Sequence, residues 1–557
     1  MADHFNGRSA LNSSRPDGSS WRRPQRRRVN LLGRPARLVL LSVAACALLA
    51  LVAEAVTLGL AVRDLQRGAA LLSQAAALIG QSPDGWSAQR IDAAIRSRDQ
   101  AERLLLPAHA RIQHDPILRF AETTPAVGDQ VKALLDLDDS AVAASAVVGD
   151  LITVARAYGE ARNNHGALGP HVLSLLNSSA PPLRDASLRL GHVQTALRRD
   201  QQRPLLPQLQ SQVRNALDRV EPAAAQAQLG ASAAEYAPLV LGADRAKTYL
   251  LLFPNPSELR PAGGFVGTLC TLTVQRGTPI ELEVRNEADY TPLFKRTFQR
   301  PYPLDQYLVF DGSSLDLGDA GWDPDFPSTA RLNAEMFKSA TGRDVDGVVS
   351  IDPYTISALL AVIGQVDVPV YGSFTTSNFF AKTNYIVNVD TGPTGGKGAL
   401  PRIMTEIVAR IDAQPADRWP ALLTALQQQV SDRHLQVYLD DRRLQSALEQ
   451  AHHDGAVVPT HQDYAMVVDA NLAGTKGDYY LHKSLDEKVE VYPGGGTRHQ
   501  LVMEYDLPPP ADETDRILNP GDGTYYDYVR FYLPAATTVQ RLTVWQDDKP
   551  GSGALDS

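Results

Sequence analysis

Asn255-Pro-Ser-Glu-Leu-Arg-Pro-Ala-Gly-Gly-Phe-Val-Gly267, NPSELRPAGGFVG, is the stretch on which the reading of this chain turns. An apolar run, Tyr249-Leu-Leu-Leu-Phe253, precedes it, and Thr268-Leu-Cys-Thr-Leu-Thr-Val274, rich in β-branched residues, follows it. Both runs predict buried strands. Glu258, Arg260 and the Gly263-Gly264 pair therefore belong to the loop between them. Adjacent glycines let the backbone take positive φ and let another group approach closely. A charged pair in such a connection is either the start of a binding site or a brace for the turn. An internal Glu258–Arg260 ion pair is the expectation here.

Working outward, strands are predicted at 248–253, 267–275 and 280–285, then a Pro/Asp/Gly-rich stretch at 300–328. A helix follows at 328–340, a strand at 347–351, a helix at 353–363 and a strand at 366–370. Helices near 401–413, 418–431 and 441–453 and short strands at 435–439 and 464–469 complete the pattern. Strands alternating with helices over 243–476 predict a mixed α/β sandwich whose sheet is covered by helices. Beyond Gly477 the runs at 488–492, 498–505 and 528–533 alternate as half-buried strands, so 477–557 reads as a β-rich segment, a partial β-sandwich. So few strands make a marginal open sheet, and the chain reads as truncated there.

On the N-terminal side, 63–242 reads as a helical bundle. Leu65, Ala69, Leu72, Ala76 and Ile79 follow helical spacing, and prolines at 107, 116, 125, 181–182, 204 and 207 are expected to punctuate the helices. Before it, Leu38 to Val62 is 25 residues long with Glu54 its only charge, long enough to span a bilayer. Nine arginines against two aspartates make residues 1–37 +7, which leaves −16 of the net −9 on the other 520. Arginine crowding on one side of the apolar segment predicts a cytoplasmic N-terminus and an uncleaved signal anchor. Residues 1–37 read as a disordered basic tail facing anionic lipid. No later segment has a comparable apolar run, so the bulk is expected outside the cytoplasmic membrane. The whole is thus an α+β multidomain chain with an N-terminal transmembrane helix.

A body this acidic excludes general nucleic-acid binding. Cys46 and Cys270, one in the apolar segment and one in a strand, give no disulfide framework. Nucleophile elbow, P-loop and dinucleotide fingerprint are all lacking. His452-His453-Asp454 with His461 has ligand-type residues, but adjacent helical histidines point about 100° apart, which disfavours zinc.

Three blocks resemble a bacterial family catalogued as domain of unknown function 4012: NPSELRPAGGFVG, Asp319-Ala-Gly-Trp-Asp-Pro-Asp-Phe-Pro327 continuing to Asp344–Asp352, and Asn471-Leu-Ala-Gly-Thr-Lys-Gly-Asp-Tyr-Tyr480. The resemblance implies a membrane-anchored, extracytoplasmic bacterial protein associated with cell-envelope or exopolysaccharide functions, and confers no activity. The lack of a convincing catalytic set makes binding of an envelope glycan or protein partner the expectation. A remoter similarity, through Val345–Val368, is to the LytR-CpsA-Psr phosphotransferases, which transfer glycopolymers from a polyprenyl pyrophosphate carrier. That alternative has Arg260 holding phosphate and Asp319, Asp323 and Asp325 holding Mg²⁺. Against it, Asp325 suits a helix N-cap, Asp346 and Asp352 flank a strand with Asp352 placed to cap, Asn471 suits a turn, and Lys476 is expected exposed.

Overall fold

The computed structural model describes residues 34–80, 86–125, 127–163, 168–307, 314–390, 396, 398–415, 418–460, 462–518, 525–546 and 549–550. Most of the basic tail and His461 lie outside them. The chain forms two units, Met1–Arg63 and Asp64–Ser557. Helix α1 (Arg34–Ile79) runs through the apolar segment 38–62, although most of that segment's side chains fall outside the described ones.

In the second unit α1 is followed by α2 (Ala88–Gln113), α3 (Pro116–Glu122), α4 (Gly128–Asn163), α5 (Leu168–Gln201) and α6 (Pro207–Val240). Their apolar stripes meet in small cores. Leu72, Ala75 and Ile79 pack on Ala94, Ala101, Leu105, Val148 and Ile152. Ala133, Val193, Leu197, Val213 and Leu217 form another. Buried alanines let helix axes approach closely. The prolines divide into three kinds. Pro125 and Pro204 lie between helices, as expected. Pro116 and Pro207 sit in the first turn of α3 and α6, where the missing N–H costs nothing. Pro107, Pro181 and Pro182, expected to break helices, lie inside α2 and α5. Packing of both flanks outweighs the cost of about 3 kcal/mol for an internal proline.

One helix of the bundle is apolar over part of its length. Among the described residues, Gly128–Ala161 is long and apolar enough to cross a membrane by length and composition, with a mean hydropathy of 1.4 over an 18-residue window. Eight charged residues lie in it against Glu54 alone in 38–62, so it is not a run comparable to that segment. Val147, Val148, Ile152 and Ala155 of this helix are buried in the bundle.

The α/β region contains β1 (Lys247–Asn255), β2 (Phe265–Gln275), β3 (Thr278–Asn286), α7 (Leu304–Tyr307), α8 (Phe326–Thr341), β4 (Gly347–Ile351), α9 (Pro353–Ile363), β5 (Val366–Val368), β6 (Gly372–Phe374), α10 (Phe379–Asn388), α11 (Ala399–Asp412), α12 (Trp419–Ser431), β7 (Leu435–Leu439) and α13 (Arg442–Gln450). The main sheet has the order β3-β2-β1-β4-β7. Only β1 and β4 pair in parallel, with Leu250 opposite Val348 and Leu252 opposite Ser350. Because side chains alternate across a strand, Leu250, Leu252, Leu269 and Val348 face α8 on one side. Tyr249, Leu251 and Cys270 face residues of α6 and α13 on the other, and Phe253 and Ile351 reach the core of α9 to α12. The sheet is thus mixed and has helices on both faces.

After it come β8 (Met466–Val468), β9 (His482–Val491), β10 (Thr497–Asp506), α14 (Glu513–Leu518), β11 (Arg530–Tyr532), β12 (Trp545–Gln546) and β13 (Lys549–Pro550). The expected partial β-sandwich is not what the described residues form. β9 and β10 make a two-stranded hairpin on which Leu485, Val489, Val491 and Val502 stay exposed. Alternation in sequence marks the strands but does not supply a second sheet to cover them. β11 instead pairs with β8.

Candidate functional site

The loop after β1 closes on itself before it meets anything else. Phe265 N–H donates to Glu258 O at 2.8 Å, and Gly263 N–H to Arg260 O at 2.8 Å. Gly263 has φ 116° and Gly264 φ 140°, a region L side chains rarely adopt. A Cβ on Gly264 would stand 2.2 Å from Asn255 O. The loop is then tied sideways: Ala262 N–H donates to Gly321 O and Val266 N–H to Gly318 O, each at 3.0 Å. A side chain on Gly318 would strike the Phe265 ring at 2.3 Å.

This folding points Arg260 inward, where it is only 2% exposed. Its Nε donates to Asp319 Oδ1 at 2.6 Å, its Nη1 to Leu259 O at 3.0 Å and Asn471 O at 2.8 Å, and its Nη2 to Glu258 Oε1 at 3.2 Å. Burial alone would favour the neutral guanidine, but Asp319 and Glu258 outweigh it and raise the pKa. Lys476 binds the other oxygen of Glu258. Arg260 Cζ and Lys476 Nζ lie 5.6 and 5.8 Å from the Phe265 ring centroid, a cation–π distance.

Glu258, Arg260, Asp319, Asn471 and Lys476 are therefore brought together, one cluster drawn from all three sequence blocks. Asn471 is fully buried. Its Nδ2 donates to Thr475 O at 3.1 Å and Asp478 Oδ2 at 2.7 Å, and its Oδ1 accepts Ala473 N–H at 2.9 Å. Lys476, expected exposed, has most of its side chain covered.

Sequence reasoning missed two carboxylates here. Asp478 accepts Leu259 N–H at 2.9 Å and the Tyr525 hydroxyl, and burial raises its pKa. Asp316 accepts Asp319 N–H at 2.9 Å, and burial together with the Asp319 charge pushes it up to about 6. Asp478 stood inside the third block, two residues beyond Lys476, and that adjacency was the available signal.

The other candidates lie apart. Asp325 N-caps α8: it accepts Ser328 N–H at 3.1 Å, the Ser328 hydroxyl at 2.6 Å and Val457 N–H at 3.0 Å. Burial would raise its pKa, but these donors lower it. Asp323 accepts Asp325 N–H at 2.9 Å, a local turn. With Asp319 bound to Arg260, the three aspartates proposed for Mg²⁺ are committed to three different tasks. Asp346 sits at the opposite end of β1, paired with Arg245 and accepting Thr248 N–H at 3.0 Å. Asp352 caps α9 through Thr355 N–H at 2.9 Å and meets His434 Nδ1 at 2.5 Å. His452 and His453 follow the end of α13 at Gln450 rather than extending it to 453.

The C-terminal segment is held by the same cluster. Lys476 N–H donates to Leu518 O, Leu472 N–H to Tyr526 O and Tyr528 N–H to Ala470 O. Tyr528 stacks on Trp322 at 6.1 Å and 12°, and Arg530 Nη2 donates to Trp322 O at 2.8 Å. The arrangement can brace a junction. It offers no open pair of cations.

No curated protein and no solved structure is detectably similar to the chain. Residues 244–385, carrying the first two blocks, match the model of a family described as a protein of unknown function, DUF4012. Through this α/β region, the chain is similar to the DUF4012 family.

Proposed function

We propose that the protein is a single-pass, membrane-anchored component of the bacterial cell envelope whose bulk lies outside the cytoplasmic membrane, and that it binds an envelope glycan or protein partner. The charge asymmetry about residues 38–62 supports the topology: +7 before the apolar segment, from nine arginines and two aspartates, and −15 on the body after it. For the activity, the observation that carries the reading is the state of Arg260. A guanidinium has five N–H donors, and four of them are engaged by Asp319, Glu258 and two backbone carbonyls. A phosphate cradle needs donors aimed at the ligand. Here they are spent on joining three segments of the chain, which favours a binding protein over the glycopolymer transferase.

The test is binding by the full-length protein in detergent to polyprenyl pyrophosphate and to purified wall glycan, each with and without Mg²⁺. Glycan or protein binding indifferent to Mg²⁺ is expected. Mg²⁺-dependent binding of the lipid pyrophosphate would overturn the reading in favour of the transferase.

A further inference from the structure

The carboxyl ends of the parallel strands β1 and β4 open beside a cavity of about 90 Å³ between the sheet and helices α9 to α11. In sheets with parallel strands, ligands favour that end. The lining is mostly apolar, with Ile356, Phe380 and Met404 among its residues. Thr268 and Thr383 also line it, and their buried hydroxyls have no partner among the described residues. Thr268 is 2% exposed. An unpaired buried hydroxyl costs stability, so two of them in one apolar cavity mark a place for a small group with its own donor and acceptor.

A row of rings continues from Phe380. Tyr354 lies 5.7 Å from it and Tyr479 5.6 Å, and Tyr354 is in turn 4.9 Å from His434. Tyr354 and Tyr479 are 47% and 41% exposed. His434 Nδ1 lies 2.5 Å from an Asp352 carboxylate oxygen, which fixes the imidazole beside Tyr354. An aromatic face is electron-rich, and the C–H face of a sugar ring is its natural complement, with a hydroxyl at the rim to reach the imidazole. The acidic body disfavours an anionic polymer. A cavity of this volume, roughly three waters, is too small for a second sugar ring but suits an acetamido group: one methyl, one N–H and one carbonyl.

We propose that this cavity and the Tyr354–Phe380–Tyr479 row form a binding site for a neutral N-acetylated amino sugar, its ring on the aromatics and its acetamido group between Thr268 and Thr383. The inference rests on the reading of the protein as an envelope glycan binder, and it names the site and the sugar class.

Titration calorimetry on the full-length protein in detergent tests it, with triacetylchitotriose and cellotriose as probes and purified wall glycan in a parallel pull-down. The acetylated trimer binds and cellotriose binds about ten-fold more weakly. Tyr354→Ala abolishes binding. Thr383→Val weakens the acetylated trimer alone, by about five- to ten-fold, while its thermal midpoint holds or rises because the lost hydroxyl had no partner. Equal binding of both trimers overturns the acetamido assignment. Failure of the acetylated trimer to bind, or unchanged affinity in Tyr354→Ala, overturns the site. If wall glycan is still pulled down in that case, the glycan-binding reading survives without this site. If wall glycan also fails to bind, glycan binding itself is contradicted.

Discussion

Arg260 Nε lies 2.6 Å from Asp319 Oδ1, a contact that spans 59 residues of sequence and joins the loop after β1 to the segment before α8. The same guanidinium holds Asn471 O, 211 residues away. One buried cation thus fixes the position of the C-terminal segment against the α/β region.

Removing one partner from a buried ion cluster strands the others, at a cost of about 3–5 kcal/mol. Arg260→Ala is therefore expected to lower the thermal midpoint markedly and to expose the 470–530 segment to protease. Arg245→Ala removes a largely exposed arginine from its pair with Asp346 and costs about 1 kcal/mol or less. If the two variants melt alike, Arg260 does not brace the junction.

The two loop glycines separate strain from collision. Gly263→Ala meets nothing closer than 3.9 Å, so its cost is the positive φ alone, about 1–3 kcal/mol. Gly264→Ala adds a Cβ 2.2 Å from a backbone carbonyl. Denaturant unfolding should rank Gly264→Ala as the more damaging. The reverse order would contradict the loop geometry.

Stability should fall as pH rises. Burial and the nearby Asp469 push Asp527 up to about 8, far above the ordinary carboxylate value. The folded state then holds a proton that the unfolded chain has already released. The stabilisation is complete below about pH 4, declines as pH climbs toward 8, and is gone above it. Asp527→Asn keeps the acceptor for Ala470 N–H and removes the titration. Thermal melts at pH 5, 7 and 9 should slope downward in the parent and flatten in the variant. Parallel slopes in the two proteins would show that Asp527 is not the group responsible.

Cys270 is buried in β2, and burial first, then Glu283, raises its thiol pKa to about 12. Thiolate is the reactive form. In a Cys46→Ser background the native protein should resist an aromatic disulfide reagent and titrate one thiol on unfolding. Rapid native reaction would place Cys270 elsewhere.

The sheet region was legible because its runs are short, apolar and bounded by turn residues. The strand 347–351 and the helix 353–363 are where the alternation and the Asp352-Pro353 start signal place them. Helix α10 was not foreseen: Phe379–Asn388 mixes aromatic and asparagine residues of low helix propensity, and packing of Phe379 and Ile386 into the core decides it. The membership of Arg260, Asp319 and Asn471 in one cluster was not legible either. Spacing identifies the three blocks, but only the paired strands and the buried loop bring residues 260, 319 and 471 within bonding distance. The prolines inside α2 and α5 show the same limit, since local propensity argued for breaks and tertiary packing prevailed.

The most direct test of the central claim is accessibility of Val491→Cys, a position 74% exposed on the β9–β10 hairpin, in intact cells treated with a membrane-impermeant maleimide. The parent protein serves as control for Cys46 and Cys270. Labelling of the variant without permeabilisation is the predicted result, and places the hairpin outside the membrane. Labelling that appears only after permeabilisation would put the body of the protein in the cytoplasm and contradict the account.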